Sequence, residues 1–283
     1  MISIVIPARN EEKLIPDCLR SLKAQTYRGD FEIIIVDNGS TDGTAAAAHQ
    51  FGVRVITANA ERSVFYARQV GADAALGDII VQADADTLYP PQWLQRIADK
   101  LATHPKAVAV AGRFAYREKF TWSWLEMFVR SLLNALFTAF TGKPLLVSGA
   151  TFAFRRSAFI NAGGYHGLGY SADQYGIASR LSHFGKVLYD PHLCVLTSAR
   201  TVRKPGPVLL WDVGVNAYHL LKYWNGNIFM PRQATRQQRL RSVFAWGLSA
   251  LLALIIAVSA YGYFVPASPV FGTVYSKGHS TGK

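Results

Sequence analysis

The first half of the chain alternates short apolar runs with longer segments in which apolar residues recur every three or four positions. Short runs rich in Ile and Val predict buried strands, and the longer segments predict amphipathic helices. The predicted strands are 2–6, 31–36, 53–57, 79–83 and 107–112, and the predicted helices are 11–25, 41–50, 63–76 and 91–104. This alternation predicts an α/β fold, a Rossmann-like three-layer sandwich with a mostly parallel central sheet.

Beyond residue 112 the alternation stops and a long apolar segment follows. Residues 122–140 are strongly apolar, and their polar residues form one narrow stripe at intervals of four: Glu126, Arg130, Asn134 and Thr138. A helix of this kind either packs in the core of a large domain or lies in a membrane interface, and the pattern leaves both open. The glycine-rich stretch after it, 148–169, is typical of loops over a binding site.

The last part of the chain carries a second apolar segment that is free of charge. Residues 243–265 are nearly all apolar, and no Asp, Glu, Lys or Arg occurs from 242 to 276. Because a helix of about 20 apolar residues crosses a bilayer, we predict one transmembrane helix rather than a buried core helix. Four arginines precede this helix, so the positive-inside rule predicts an inner-membrane protein with residues 1–241 in the cytoplasm: Arg232, Arg236, Arg239 and Arg241.

These patterns divide the chain into a large domain (1–225), a basic juxtamembrane linker (226–242), a transmembrane helix (243–265) and a short tail (266–283). The formal net charge of +12 indicates an anionic partner. An anionic membrane accounts for much of that charge, and no nucleic-acid recognition motif is present, so we expect no nucleic-acid partner. The two cysteines are far apart, which argues against a disulfide framework or a zinc site.

Two carboxylates follow the predicted strand 79–83. Asp84 and Asp86 are separated by one alanine, and in an extended chain they would point to the same side, where like charges repel. A divalent cation would relieve that repulsion, and Mg²⁺ or Mn²⁺ prefers such oxygen ligands, often together with phosphate oxygens. The pair therefore predicts a metal–diphosphate site.

Polar residues also follow the first two predicted strands. The segments 7–12 and 37–44 are rich in Asp, Asn, Glu and Ser, and the second contains two glycines that let a ligand approach the backbone. Ligands of parallel α/β sheets lie beyond the carboxyl ends of the strands, where these segments and Asp84 should meet. Helix capping explains Asp42, but it does not explain a second acidic cluster on a neighbouring strand.

Together these motifs resemble the family 2 glycosyltransferases of GT-A fold. The resemblance rests on Ile-Val-Ile-Pro-Ala-Arg-Asn-Glu-Glu from residue 4, Ile-Val-Asp-Asn-Gly-Ser-Thr-Asp-Gly-Thr from residue 35 and Asp84-Ala85-Asp86, and it covers roughly residues 1–200. It implies an inverting enzyme that takes a sugar from a nucleotide-diphospho-sugar. It also implies that the donor is bound by Pro7, Ala8, Glu11, Asp37, Arg68 and Asp84, and that Asp86, with Asp84, binds Mg²⁺ or Mn²⁺.

The resemblance extends to the acceptor side. The segment 148–156, which includes Gly149, and the segment 162–165 match the family, whose general base is an Asp that follows a Glu. Here the base would be Asp173, and Ala172 replaces the Glu. Arg200 is a weaker candidate for stabilising the departing diphosphate. The acceptor would be lipid-linked or a saccharide close to the membrane.

Two rival functions use some of the same residues. A nucleotidyltransferase also uses acidic pairs, but it needs an early glycine-rich phosphate loop, and residues 7–12 contain no glycine. A catalytically inactive GT-A scaffold, serving as the membrane-bound partner of another glycosyltransferase, is the alternative that Gln69 and Ala172 leave open, because both depart from the family pattern. The sequence does not identify the sugar, the nucleotide, the acceptor or the oligomeric state.

Overall fold

The computed structural model describes residues 1–118, 123–141, 143–144, 147–168 and 176–201. Its strands are β1 (Ile2–Ala8), β2 (Phe31–Asp37), β3 (Arg54–Thr57), β4 (Ile79–Gln82), β5 (Thr87–Leu88), β6 (Ala107–Tyr116), β7 (Phe152–Arg155) and β8 (Lys186–Thr197). Its helices are α1 (Ile15–Lys23), α2 (Thr44–His49), α3 (Val64–Ala74), α4 (Trp93–Thr103), α5 (Ser123–Thr141), α6 (Arg156–Asn161) and α7 (Ile177–Leu181). A short 3₁₀ turn, Ala199–Thr201, follows β8.

The eight strands form one sheet in the order β3-β2-β1-β4-β7-β6-β8-β5. The half that contains β3, β2, β1 and β4 is parallel throughout, as predicted. The other half is mixed, since β7 runs antiparallel to both β4 and β6, while β6 and β8 are parallel. Three of its strands, β5, β7 and β8, lie in segments where the apolar pattern predicts no strand.

Helices cover both faces of the sheet, which makes the predicted three-layer sandwich. The sheet residues alternate between two apolar cores, so Ile4 of β1 packs on one side and Val5 on the other. One core includes residues of α1, α2 and α4, and the other includes residues of α3, α6 and α7. Each fully buried Ile or Leu contributes about 1.5–3 kcal/mol through loss of apolar surface from water. Because helices pack on both faces, the sheet is held in place, and with it the edge at which the polar segments meet.

Helix α1 begins later in the chain than the sequence predicted. The helix was expected to begin at residue 11, but it begins at Ile15, because the backbone N–H groups of Leu14 and Ile15 both bond the Glu11 carbonyl in a turn. Pro16 occupies the first helical turn, where a missing N–H costs nothing. Glu11 therefore stays outside the helix, at the end of β1.

The apolar helix predicted at 122–140 is present as α5, which packs against β6 and β8. Within the described ranges, no helix combines the length and the apolar character needed to cross a bilayer. The predicted transmembrane helix at 243–265 lies outside the described residues, together with the predicted linker and tail.

Candidate active site

The loops after β1 and β2 are joined to each other at the carboxyl edge of the sheet. Asn10 donates its backbone N–H to Ser40 Oγ (3.0 Å), and its Oδ1 accepts from the backbone N–H of Thr41 (2.8 Å). Glu11 donates its N–H to Thr44 Oγ1 (2.8 Å). Asn10 has φ = 56°, a left-handed conformation that asparagine tolerates better than most residues. The two loops therefore form one frame, and Asn10 is a residue that the sequence did not single out.

Asp37 ends β2 inside this frame. Its side chain is buried, and its Oδ1 accepts a hydrogen bond from the backbone N–H of Ser40 (3.0 Å). The Ala8 carbonyl at the end of β1 accepts from the N–H of Asn38 (2.9 Å), and Pro7 is half-buried beside it. Three residues predicted to bind the donor therefore lie on two neighbouring strand ends, Pro7, Ala8 and Asp37, and a fourth, Glu11, lies in the loop after β1.

Asp84 and Asp86 lie in the turn between β4 and β5, not on the strand itself. β4 ends at Gln82, so the alternation of a strand does not set the directions of the two carboxylates. Instead, each carboxylate contacts a different arginine, Asp84 contacting Arg68 and Asp86 contacting Arg200. The pair is in the predicted place, but the expected strand geometry was wrong.

Arg68 lies behind Asp84 and is 2% exposed. Its Nη2 donates to Asp84 Oδ1 (2.7 Å), and its Nη1 donates to the Gly149 carbonyl (3.2 Å). Asp84 is 34% exposed, so its carboxylate reaches the surface of the site while the arginine does not. In this structure Arg68 positions the Asp84 turn and the Gly149 segment. Its predicted contact with the donor remains a prediction.

Tyr89 is a second residue of the site that the sequence analysis missed. Its hydroxyl accepts from the backbone N–H of Asp84 (2.7 Å) and contacts the Asp84 carbonyl (3.3 Å). Complete burial raises the pKa of this phenol well above its usual value, so the hydroxyl stays protonated. An aromatic residue with a polar tip just after the carboxylate pair, followed by two prolines, was the available signal.

Asp86 is partly buried between charged and hydroxyl groups. Its side chain is 12% exposed, Arg200 Nη2 lies 3.2 Å from Oδ2, and the hydroxyls of Thr87 and Thr197 each lie 3.3 Å from Oδ1. Burial and then the negative charge of Asp84 raise the pKa of Asp86, while the Arg200 charge opposes that rise. The ionised form of Asp86 is therefore held in an unfavourable position.

Arg200 joins the far end of the described chain to the first strand. Its guanidinium forms two hydrogen bonds with the Glu11 carboxylate, one of them of 2.8 Å, in addition to its contact with Asp86. The hydrogen bonds to Glu11, followed by the charges of Glu11 and Asp86, raise the pKa of Arg200. The side chain is about half exposed, so its cationic head can be reached from the site.

The carboxylates of Asp84 and Asp86 fit a hard divalent cation. Their oxygens are the donors that Mg²⁺ and Mn²⁺ prefer, and burial together with the Asp84 charge raises the pKa of Asp86, which a bound cation would oppose. In the part of the chain that the structure describes, no group of three or more His, Cys, Asp or Glu side chains could hold a metal ion. An ion at this pair would draw further ligands from water or phosphate oxygens.

The predicted acceptor side is described in part. Gly149 is buried, and its carbonyl accepts from Arg68, which also contacts Asp84, so this segment lies close to the Asp84 turn. Asp173, predicted as the general base, and Ala172 lie outside the described residues.

Comparison with known proteins identifies the family. Residues 3–163 match Glycosyl transferase family 2, and this match spans more than half of the chain. The chain belongs to glycosyl transferase family 2. One relative of this family 2 chain is a PGL/p-HBAD biosynthesis glycosyltransferase of Mycobacterium tuberculosis, which is 36% identical over 43% of this chain and 50% of that protein. Another is glycosyltransferase AglE of Haloferax volcanii, which is 34% identical over 34% of this chain and 33% of that protein.

A third relative carries a lipid phosphate in its name. The undecaprenyl-phosphate 4-deoxy-4-formamido-L-arabinose transferase of Sodalis glossinidius is 30% identical over 57% of this chain and 50% of that protein. The matches thus span between a third and a half of the length of these relatives.

Solved structures show that the family 2 domain has the GT-A fold. The mannosyltransferase PcManGT of Pyrobaculum calidifontis, solved with GDP-Man and Mn²⁺, has a TM-score of 0.66 at 20% identity and covers 94% of this chain and 76% of its own. Glucosyl-3-phosphoglycerate synthase of Mycobacterium tuberculosis, in complex with Mn²⁺, UDP and glucosyl-3-phosphoglycerate, has a TM-score of 0.56 at 22% identity and covers 82% of this chain and 81% of its own.

Proposed function

We propose that this family 2 chain is an inverting, metal-dependent glycosyltransferase that moves a sugar from a nucleotide-diphospho-sugar to a lipid-linked or polysaccharide acceptor close to the membrane. One observation carries the proposal. Asp37, Asp84, Asp86, Glu11 and Arg200 come together at one edge of the sheet, although they are spread over the length of the described chain. Structural neighbours solved with a nucleotide or nucleotide-sugar and Mn²⁺ support the donor class and the metal.

Each described residue has a role that follows from its position. The frame of the first two loops, with Asp37 at its base, would bind the nucleoside through hydrogen bonds to a buried carboxylate. Asp84 and Asp86 would hold Mg²⁺ or Mn²⁺, which supplies positive charge to the diphosphate. The Arg200 guanidinium lies next to Asp86 and would stabilise negative charge as the diphosphate departs.

Inversion requires a base on the acceptor side of the sugar. Asp173 would take the proton from the attacking acceptor hydroxyl while the diphosphate leaves from the opposite face. This role rests on the sequence resemblance around Asp173, where Ala172 stands in place of the Glu, because the family match itself covers residues 3–163.

The acceptor and the cellular location belong to the same proposal. The relative named for undecaprenyl phosphate supports a lipid-linked acceptor. The predicted helix at 243–265, with arginines before it, would anchor the chain in the cytoplasmic membrane by a single pass, with the site on the cytoplasmic side. Such an anchor would bring the donor edge within reach of a lipid phosphate.

Hydrolysis and transfer assays test the proposal. The full chain in detergent or liposomes is given UDP- and GDP-sugars with Mn²⁺, and either polyprenyl phosphate or a soluble saccharide as acceptor. We expect transfer to the lipid acceptor, and we expect Asp86→Asn to abolish metal-dependent donor turnover. Asp99→Asn, on the exposed side of α4, is the matched control and should leave turnover unchanged.

The results separate the parts of the proposal. Turnover that survives Asp86→Asn at the control level would remove the metal assignment, and transfer that survives Asp173→Asn would remove the base. Efficient transfer to soluble acceptors alone would contradict the lipid-linked acceptor. A wild-type chain that neither binds nor turns over any nucleotide-sugar would favour the inactive scaffold instead.

A further inference from the structure

The helix α5 exposes three large apolar side chains on its outward face, although polar residues lie on its inward side. Asn134 is buried and Thr138 is half-buried, whereas Phe128, Leu132 and Leu136 are 59%, 44% and 40% exposed. At 3.6 residues per turn, the three apolar side chains fall within an arc of roughly 80° on one face. A helix on the surface of a soluble domain normally carries polar and charged residues on its outward face.

The inward face of α5 is fixed by contacts with the sheet. Hydrogen bonds join the Tyr189 side chain of β8 to Ser131 and Asn134, and Phe137 is fully buried. These contacts set the rotation of the helix, because turning the apolar face inward would break them. The outward position of Phe128, Leu132 and Leu136 is therefore a property of the fold.

The outward apolar face is extended by small residues and bounded by a basic one. Ala135 and Ala139 are also exposed and lie next to the larger side chains on the same face. Lys143, two residues beyond the end of α5, is exposed. An apolar face with a basic residue at its end is typical of a helix that lies in the interface of an anionic bilayer.

We propose that this outward face of α5, defined by Phe128, Leu132, Ala135, Leu136 and Ala139, docks into the interfacial region of the lipid bilayer. The helix lies along the surface, since no described helix is suited to cross a membrane. The chain beyond residue 201 supports this occupant, because it contains the uncharged run 243–265 preceded by four arginines. A net charge of +12 favours an anionic surface further.

Docking at α5 would set the position of the active site relative to the lipid. The segment that follows α5 leads to Gly149, whose carbonyl accepts from Arg68, and Arg68 in turn holds Asp84. The docking face and the donor edge are thus joined by a short stretch of chain and two hydrogen bonds. This inference rests on the membrane-proximal acceptor proposed above and names the surface that brings the site to it.

Spin-label accessibility in nanodiscs tests the docking. The full chain carries Cys194→Ser, which leaves only the buried Cys18, and a nitroxide is attached at Leu132→Cys or, independently, at Leu136→Cys. Gln50→Cys, exposed just after α2, is the aqueous control. Nanodiscs of phosphatidylcholine and phosphatidylglycerol are used, and relaxation by oxygen is compared with relaxation by a water-soluble nickel chelate.

We expect a ratio of oxygen to nickel accessibility several-fold higher at 132 and 136 than at 50. Nickel accessibility equal to that at 50, or failure of the chain to co-purify with nanodiscs, overturns the proposal. Low accessibility to both reagents also overturns it, because the face is then covered by protein. In that case, spin–spin broadening that falls on dilution with unlabelled chain would identify a second copy of the chain as the covering protein. Absence of such broadening would point to the segment 243–265 as the covering protein.

The experiment can disprove the docking without disproving the proposed function, and the reverse. Donor hydrolysis is measured on the same labelled samples. A water-exposed label on a chain that hydrolyses its donor would remove the docking face alone. A lipid-exposed label on a chain without donor turnover would leave the docking face and remove the activity.

Discussion

Arg68 lies under the Asp84–Asp86 turn and is almost fully buried, although a guanidinium is costly to remove from water without partners. Its partners are the Asp84 carboxylate at 2.7 Å and the Gly149 carbonyl at 3.2 Å. The arginine therefore connects the donor side of the site to the segment that leads toward the acceptor side. Its side chain fixes the positions of the Asp84 carboxylate and the Gly149 carbonyl, and it can affect donor turnover in this way without contacting the sugar donor.

Arg68→Met keeps much of the buried volume and removes the charge. We expect the free energy of unfolding to fall by about 2 kcal/mol, because Asp84 loses a charge-assisted hydrogen bond but remains partly solvated. This corresponds to a melting temperature roughly 4–8 °C lower. Thermal unfolding of the full chain in detergent measures it, with Arg96→Gln on the exposed side of α4 as the control. A melting temperature equal to that of the control would show that the ion pair contributes nothing.

Asp42 fixes the loop after β2 by accepting hydrogen bonds from the backbone N–H groups of Thr44 (3.0 Å) and Glu12 (3.2 Å). Its hydrogen bond with the Thr44 hydroxyl is the main reason that the pKa of Asp42 is lowered. A lowered carboxyl pKa in the folded state means that folding favours the ionised form. The resulting stability is present above the ordinary aspartate pKa and is lost as the pH falls through the lower, folded value.

Asp42→Asn should therefore lower the melting temperature at neutral pH, and the difference from the wild type should shrink as the pH falls below about 4. Melting temperatures of both proteins across that pH range measure the effect. Asp99→Asn, at an exposed position of α4, corrects for the loss of one surface charge. A difference that stays constant with pH would show that the loop does not depend on the Asp42 charge.

At the scale of elements, α3 lies unusually close to the sheet because Gly71 has no side chain. A Cβ at this position would overlap the side chain of Val5 and lie 2.9 Å from Val36 Cγ2. Both valines are fully buried in strands β1 and β2, so neither can move away cheaply. This close approach places Arg68, one turn earlier on α3, within reach of Asp84.

Gly71→Ala tests the close approach through the sign of its effect. In an exposed helix the substitution would stabilise by up to about 1 kcal/mol, but overpacking at this position should destabilise by about 1–3 kcal/mol. Thermal unfolding gives the sign. Donor turnover should fall as well, because the displaced helix carries Arg68 with it. A rise in melting temperature would show that α3 can retreat from the sheet without cost.

At the scale of the molecule, the parallel half of the sheet and the edge where its loops meet follow from local apolar pattern. The mixed half does not follow from it. Strand β7 has only four residues in a glycine-rich segment, and β8 is interrupted by Asp190, Pro191 and His192. The burial of both strands depends on strands distant in sequence. The carboxylates after β4 were correctly placed at the edge. Arg68 and Tyr89 were not recognised as their supports, because a buried arginine and a buried hydroxyl become visible only when Asp84 is adjacent. The side-chain orientation of α5 is likewise set by β8.

Arg200 connects the two ends of the described domain at the candidate active site. It lies 189 positions from Glu11 in sequence, yet its guanidinium binds the Glu11 carboxylate and reaches Asp86 at 3.2 Å. Such a contact forms only when β8 and β1 are in their final places. Its half-exposed head lies 3.2 Å from Asp86, one of the two predicted metal ligands, so Arg200 should act mainly on the departing group.

Arg200→Gln should lower kcat for sugar transfer by about tenfold to a hundredfold, since a charge that stabilises the leaving diphosphate is lost, with a smaller change in the donor KM. Arg200→Lys should recover part of that loss, because it restores the charge without the two-point contact to Glu11. Steady-state kinetics with saturating Mn²⁺ separates kcat from KM. A raised KM with unchanged kcat would mean that Arg200 binds substrate and transition state equally. In that case its part would be to hold the donor between the ends of β1 and β8.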